Sequence, residues 1–176
     1  MNSVLALKKP DSSEYDPYYE PYMSLVTESD VIQAMHGQIA EFDSLLAIED
    51  ERATVVDAPY SWTIKQVVGH VIDNERVFGY RAARFAAGDT TNLAGYEQND
   101  FVANMDYQSP RLQELVDELR HVRKANLLMF QRFSPEAWDF RGQSDGKSLT
   151  VRAIACLQVA HLRHHLNIVK QRLVDD

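Results

Sequence analysis

The apolar positions of the chain fall into four runs spaced by three and four residues, the pattern of helices that each bury one face. The first runs from about Ser29 to Ile48 and carries Val31, Ile32, Met35, Ile39, Phe42, Leu45 and Leu46, with Thr27 or Ser29 available as its cap. The second follows the turn-forming Ala58-Pro59-Tyr60-Ser61 and runs through Ile64, Val67, Val68, Val71, Ile72, Phe78 and Phe85 to about Ala87, where Gly88 and Asp89 stop it. Its start is marked by Thr63 and Gln66, a pair whose side chains can answer each other's backbone amides as a capping box. The third takes Ser109 as cap and Pro110 at its first position, then repeats Leu112, Leu115, Val116, Leu119, Val122 and Leu128 to about Phe133. A short helical turn is expected over residues 134–138. The fourth runs from its cap Thr150 to Leu173, with Ile154, Leu157, Ile168 and Val169 at helical spacing.

Four amphipathic stretches with no period-two strand predict an all-α, four-helix bundle of antiparallel type, and the long connections leave room for crossovers. Ahead of them, residues 1–26 hold Pro10, Pro17 and Pro21 and the tyrosines Tyr15, Tyr18, Tyr19 and Tyr22, with no helical period. This is the pattern of an extended N-terminal arm, packed on the bundle by its aromatic rings. The expected organisation is an arm over 1–26 and a helical domain over 27–176. Residues 88–108 form a long connection with Tyr96, Phe101 and Tyr107 as anchors, and loops of that length in a compact domain often carry function.

Composition narrows the class of protein. A chain of 176 residues with 45% hydrophobic content suits one domain with a full core. The net charge of −8 argues against a nucleic-acid partner, since no basic patch offsets it. The single cysteine, Cys156, excludes an intramolecular disulfide, and Met1 to Lys9 lack both a long apolar core and a cleavage pattern. No apolar run approaches the ~20 residues of a membrane span. The expectation is a cytoplasmic protein with no membrane partner.

The candidate chemistry is concentrated in the fourth helix, where His161, His164 and His165 fall within five residues. His161 and His165 are four apart, which puts both imidazoles on one helical face ~6 Å from each other, a suitable bite for a transition metal. His164 lies ~80–100° off that line, at the rim. The alternative is a hydrogen-bonded pair in the core, because buried imidazoles need partners of some kind. A third imidazole, His70, sits between Val67 and Val71 of the second helix, whereas His36 reads as a histidine with one hydrogen-bond partner. Counted from Thr63 and Thr150, His70 is seven residues in, and His161 and His165 are eleven and fifteen in. With the two helices running in the same direction these positions stand ~10, ~16 and ~22 Å from the caps, and a modest stagger brings them together. Three neutral imidazoles match a catalytic site that keeps a position open for water or substrate.

At this point the sequence resembles the DinB-like (DNA-damage-inducible, bacillithiol-transferase-like) four-helix bundles, over roughly residues 24–174. The likeness is carried by Tyr60-Ser61-Trp62-Thr63-Ile64-Lys65-Gln66-Val67-Val68-Gly69-His70, by Asp73, Glu75, Arg76 and Arg81, by Leu93-Ala94-Gly95-Tyr96, and by His161-Leu162-Arg163-His164-His165. Ala160 stands where relatives often carry Gly. The resemblance implies a divalent transition metal (Zn, Ni or Fe/Mn) on His70, His161 and His165. It also implies a thiol-dependent transferase or isomerase using bacillithiol, mycothiol or glutathione, often as a homodimer.

The neighbouring residues are read accordingly. A zincin protease needs a glutamate directly after the first histidine, and Leu162 stands there instead. Cys156 reads as a core residue and not as a nucleophile. Asp73, three residues after His70, is the candidate to orient a ligand or take a proton, or else it pairs with Arg76. Arg81 and Arg84 can meet an anionic co-substrate or can be surface charges. The expected partners are a small-molecule electrophile and a low-molecular-weight thiol. The alternative function is a metal-binding or protein-interaction bundle without turnover.

Overall fold

The computed structural model describes residues 6–174, so the first five residues of the expected arm and residues 175–176 lie outside the described residues. The described residues form six α-helices: α1 (Glu20–Met23), α2 (Val31–Glu41), α3 (Ile64–Ala86), α4 (Gln98–Asn104), α5 (Leu112–Phe130) and α6 (Val151–Val174). The long ones, α2, α3, α5 and α6, carry the four amphipathic stretches and make the four-helix bundle, the first stretch tightening to a 3₁₀ segment over Phe42–Ala47 instead of continuing as α-helix to Ile48. The capping box of α3 forms as its sequence demands, with Gln66 N donating to Thr63 Oγ1 at 3.1 Å and Thr63 N donating to Gln66 Oε1 at 2.9 Å. Thr150 caps α6, taking the Ala153 amide at 3.1 Å.

Two caps differ from expectation. Asp30, not Thr27 or Ser29, opens α2 by accepting from Ile32 N and Gln33 N, a carboxylate being the better acceptor for two amides at once. At α5 the Asp106 carboxylate takes the amides of Gln108 and Ser109, which holds that segment in a turn and delays the helix to Leu112, with Arg111 and Glu114 forming the cap.

A small sheet, which the sequence reading did not anticipate, joins β1 (Asn92–Leu93), β2 (Arg141–Ser144) and β3 (Lys147–Thr150) in that order, β1–β2 parallel and β2–β3 antiparallel. Its hairpin turns on Asp145-Gly146, both with positive φ (53° and 71°), a pairing that matches the twist of the strands. Strands of two to four residues are too short for alternation to show.

Hydrogen bonds between helices set their directions. Arg172 near the end of α6 reaches the Trp62 carbonyl just before α3, and Gln158 nearer the start of α6 reaches the Glu75 carbonyl, so α3 and α6 run in opposite directions. The same-direction assumption used for the histidine offsets is therefore corrected: the cluster forms because His70 and His161 stand at matching heights on antiparallel helices. Helices α3 and α5 run the same way, with Lys65 against Gln108 and Glu75 against Arg123 and Asn126, and the long connection with β1 and α4 is the crossover that this requires.

The arm is packed, as its tyrosines predict, but it is not simply extended. Pro17–Tyr19 forms a 3₁₀ turn leading into α1, Tyr15 pairs with Leu149 at the edge of β3, and Leu7, Tyr15, Tyr19, Met23 and Val26 are buried in the core beside α6. Glu14 fastens it by accepting from Thr150 Oγ1 at 2.9 Å and Arg152 Nη1 at 2.7 Å. Among the described residues no helix is long and apolar enough to cross a membrane.

Candidate metal centre

The three expected histidines come together. His70 Nε2 lies 3.0 Å from His161 Nε2, and His165 Nε2 lies 3.2 Å from the same atom. One nitrogen from each ring falls within 4.8 Å of the other two, so a single point is within reach of all three. His70 is buried at 1% exposure between Val67 and Val71, while His161 and His165 project from α6 across the helix interface, half-buried.

Two facts about this triangle bear on what it can hold. Metal–nitrogen bonds of ~2.0–2.1 Å in tetrahedral geometry place ligand atoms about 3.3 Å apart, close to the separations seen here. A neutral ring nitrogen is either a donor or an acceptor, so hydrogen bonding alone leaves His161 Nε2 with one short contact it cannot answer, whereas one cation meets all three lone pairs. The hydrogen-bonded core pair is thus the poorer account of the geometry.

Electrostatics keep the rings in the ligating form. Burial, with His164 as a lesser influence, pushes the His70 ring down to about 4. Burial, reinforced by the neighbouring imidazoles, holds His161 and His165 well below the ordinary imidazole value. A neutral ring is what a metal requires. His165 Nδ1 is buried without a hydrogen-bond partner, so this ring is oriented by packing and not by a hydrogen bond to its far nitrogen. The Trp62 ring stands 5.1 Å from that of His70.

The other candidates separate from the triangle. His164 meets Tyr22 edge-on at 5.2 Å and does not join the three converging nitrogens, and His36 is exposed. Asp73 makes no hydrogen bond to the three histidines. Its Oδ2 accepts from the Tyr107 hydroxyl and its Oδ1 faces Arg76 Nη1 at 3.8 Å, because Gly69 has no side chain to keep the Tyr107 ring off α3. Arg84 pairs with Asp89 and Tyr80, as a surface charge would. Cys156 is fully buried, and burial pushes its thiol up to about 12, which makes it inert at neutral pH.

A cavity of about 270 Å³ leads to His161. Tyr18, Tyr19 and Tyr22 of the arm form one wall, Asn74, Phe78 and Arg81 of α3 another, and Tyr96 of the crossover a third. Tyr22 lies over His161 with ring centroids 6.2 Å apart and planes at 29°. The arm therefore helps to build the site, a role its sequence signalled only through the density of tyrosines. The hairpin, which brings Asp145 and Lys147 into the cavity lining, was not anticipated.

Comparison with known proteins agrees with this description. The family model of the DinB superfamily matches residues 34–169. Among solved structures the chain is similar to YfiT from Bacillus subtilis, described as a probable metal-dependent hydrolase with an unusual four-helix bundle topology. The TM-score is 0.69 at 13% identity, over 95% of this chain and 94% of that one. No curated protein matches the chain.

Proposed function

The chain belongs to the DinB superfamily, and on that premise we propose that it is a metal-dependent enzyme of small-molecule chemistry in which His70, His161 and His165 hold one divalent transition metal ion. The observation that carries this reading is the convergence of three neutral Nε2 atoms on one point beside a cavity. Zinc, nickel, iron and manganese all accept imidazole nitrogen, and three protein ligands are the usual number for a catalytic ion. When bound, such an ion lowers the pKa of a water or thiol, so that a nucleophile is available at neutral pH.

The protein's own residues do the rest. The buried faces of α3 and α6 keep the three rings unprotonated and at fixed separation. Tyr22 and Phe78 flank His161 and limit the water that reaches it, Phe78 lying edge-on at 6.3 Å. The cavity admits a small electrophile. In the transferase form of this proposal a low-molecular-weight thiol loses its proton and its sulfur bonds to the electrophilic carbon as the leaving group departs or the ring opens. In the hydrolase form, the one that the description of YfiT favours, water takes the place of the thiol.

Metal analysis of the purified protein, followed by thiol-consumption assays with a chlorinated or epoxide electrophile and hydrolysis assays with small esters and amides, tests the proposal. Turnover that chelation abolishes and the metal restores is the expected result. A protein that binds no transition metal overturns it, and stoichiometric metal with no turnover across both assays favours a binding module.

A further inference from the structure

We propose that the cavity beside His161 is built to receive a small molecule bearing one carboxylate, and that Arg81 holds that carboxylate. The placement of the substrate's reacting end against the histidines rests on the metal reading above, while the carboxylate subsite itself does not.

Arg81 is eleven residues after His70, within 20° of three whole helical turns, so the two share a stripe of α3. Helical side chains lean toward the helix N-terminus, which carries the guanidinium back toward the histidines. Asn74 and Phe78 lie between them, and the Phe78 ring is 5.7 Å from the Arg81 guanidinium carbon and 6.3 Å from the His161 ring. One aromatic ring thus separates a fixed cation from the candidate metal centre, in one cavity.

What marks Arg81 is the absence of a carboxylate in contact with it, Asp145 acting on it only at a distance. Four arginines are buried among the described residues. Arg123 is paired with Glu75, Arg152 with Glu14 and Asp139, and Arg172 with Asp57. Arg81, at 6% exposure, has one hydrogen bond, from Nη2 to the Ala94 carbonyl at 3.2 Å, and no carboxylate within ion-pairing distance among the described residues. Burial lowers its pKa, but a guanidinium is not deprotonated in proteins, so the charge stays and a partner would stabilise it.

The other cation of the cavity is paired, and the Glu97 carboxylate is turned to the cap of its own helix. Lys147 pairs with Asp145 at 2.8 Å, and the Glu97 carboxylate accepts from Asn99 N and Nδ2, both at 3.0 Å. The Tyr96 hydroxyl accepts from Asn74 Nδ2 at 3.1 Å, which leaves its own hydrogen to donate to a ligand. A planar fork of N–H donors beside a neutral phenol is suited to a carboxylate. The single uncommitted positive charge matches a monoanion, whereas a phosphate dianion leaves one charge unanswered. The volume of about 270 Å³, just below the usual ~300–1,000 Å³ of small-molecule sites, calls for a compact ligand.

The test uses the full chain, metal-free and metal-loaded, titrated calorimetrically with benzoate and phenylacetate, with the corresponding amides, and with phenyl phosphate. The expected result is that an acid binds, that its amide binds at least tenfold more weakly, and that Arg81→Gln weakens the acid by at least tenfold while Arg81→Lys, keeping the charge but not the fork, falls between. Because the guanidinium has no carboxylate in contact with it, Arg81→Gln melts no lower than the wild type, whereas Arg123→Gln melts lower. Equal binding of acid and amide, tighter binding of phenyl phosphate, indifference to Arg81→Gln, or no acid bound below about 10 mM overturns the proposal. The two readings fail separately: acid binding in a protein that takes no metal sinks the histidine site alone, and metal binding with acid affinity indifferent to Arg81 sinks the subsite alone.

Discussion

The Arg123 guanidinium of α5 grips the Glu75 carboxylate of α3 with two hydrogen bonds, Nε to Oε2 at 3.0 Å and Nη2 to Oε1 at 2.6 Å, with the arginine wholly buried. The same guanidinium reaches Gln38 Oε1 of α2 at 2.7 Å and the Gln158 carbonyl of α6 at 3.2 Å, so one side chain ties all four long helices together. Gln158 is one turn before His161 and Glu75 just over one turn after His70. The network therefore holds the register between α3 and α6 on which the distance between the two histidines depends.

Removing one partner of this pair leaves a buried charge without compensation. Arg123→Met is expected to destabilise the protein by about 3–5 kcal/mol, and Glu75→Leu combined with Arg123→Met by less than the sum of the single changes. Urea denaturation of the three variants checks this, and additive losses would show that the two groups do not act as a pair.

Much of this arrangement was legible in the sequence, and the reasons are specific. The capping pair Thr63 and Gln66 fixed the start of α3, and the four-residue spacing of His161 and His165 fixed their common face, because both are local properties of a helix. That His70 meets the other two rings depends on helix direction, and the same-direction case is not the one the helices adopt, although the three rings do converge. Long-range features left weaker marks. Arg123 sits in a helix rich in charged residues and does not look buried, and Tyr22 looked like one tyrosine among several in an arm. The hairpin did carry a signal in Asp145-Gly146, but its strands are too short for a periodicity to support it.

The metal-free protein is expected to lose stability in mild acid. The buried rings stay neutral in the folded state, whereas in the unfolded chain they take up protons near pH 6.5. The unfolded state then binds more protons, so stability is unaffected above that pH and declines as pH falls toward the folded value of about 4 for His70. That group alone contributes a loss of roughly 3 kcal/mol at the acid end. Glu28, held down to about 2 by Arg163, contributes in a lower window, below its ordinary value of 4.5. Denaturation midpoints measured between about pH 7.5 and 4.5 should therefore slope downward in the wild type and less so in His70→Leu. A flat wild-type profile would contradict the burial of the rings.

Cys156 is predicted to be silent in the folded protein. With its thiol buried and pushed up to about 12, it should react with a thiol-specific reagent only as fast as the chain unfolds, and Cys156→Ala should leave any turnover unchanged. Rapid labelling of the native protein would disprove this.

Metal content and affinity in the wild type, His70→Ala and His164→Ala test the central claim most directly. The account predicts one ion per chain in the wild type, affinity lowered by orders of magnitude in His70→Ala with the helical fold retained, and a far smaller effect in His164→Ala, whose ring lies outside the triangle. Retention of the metal by His70→Ala equal to that of the wild type would contradict the three-histidine site and the enzymatic reading built on it.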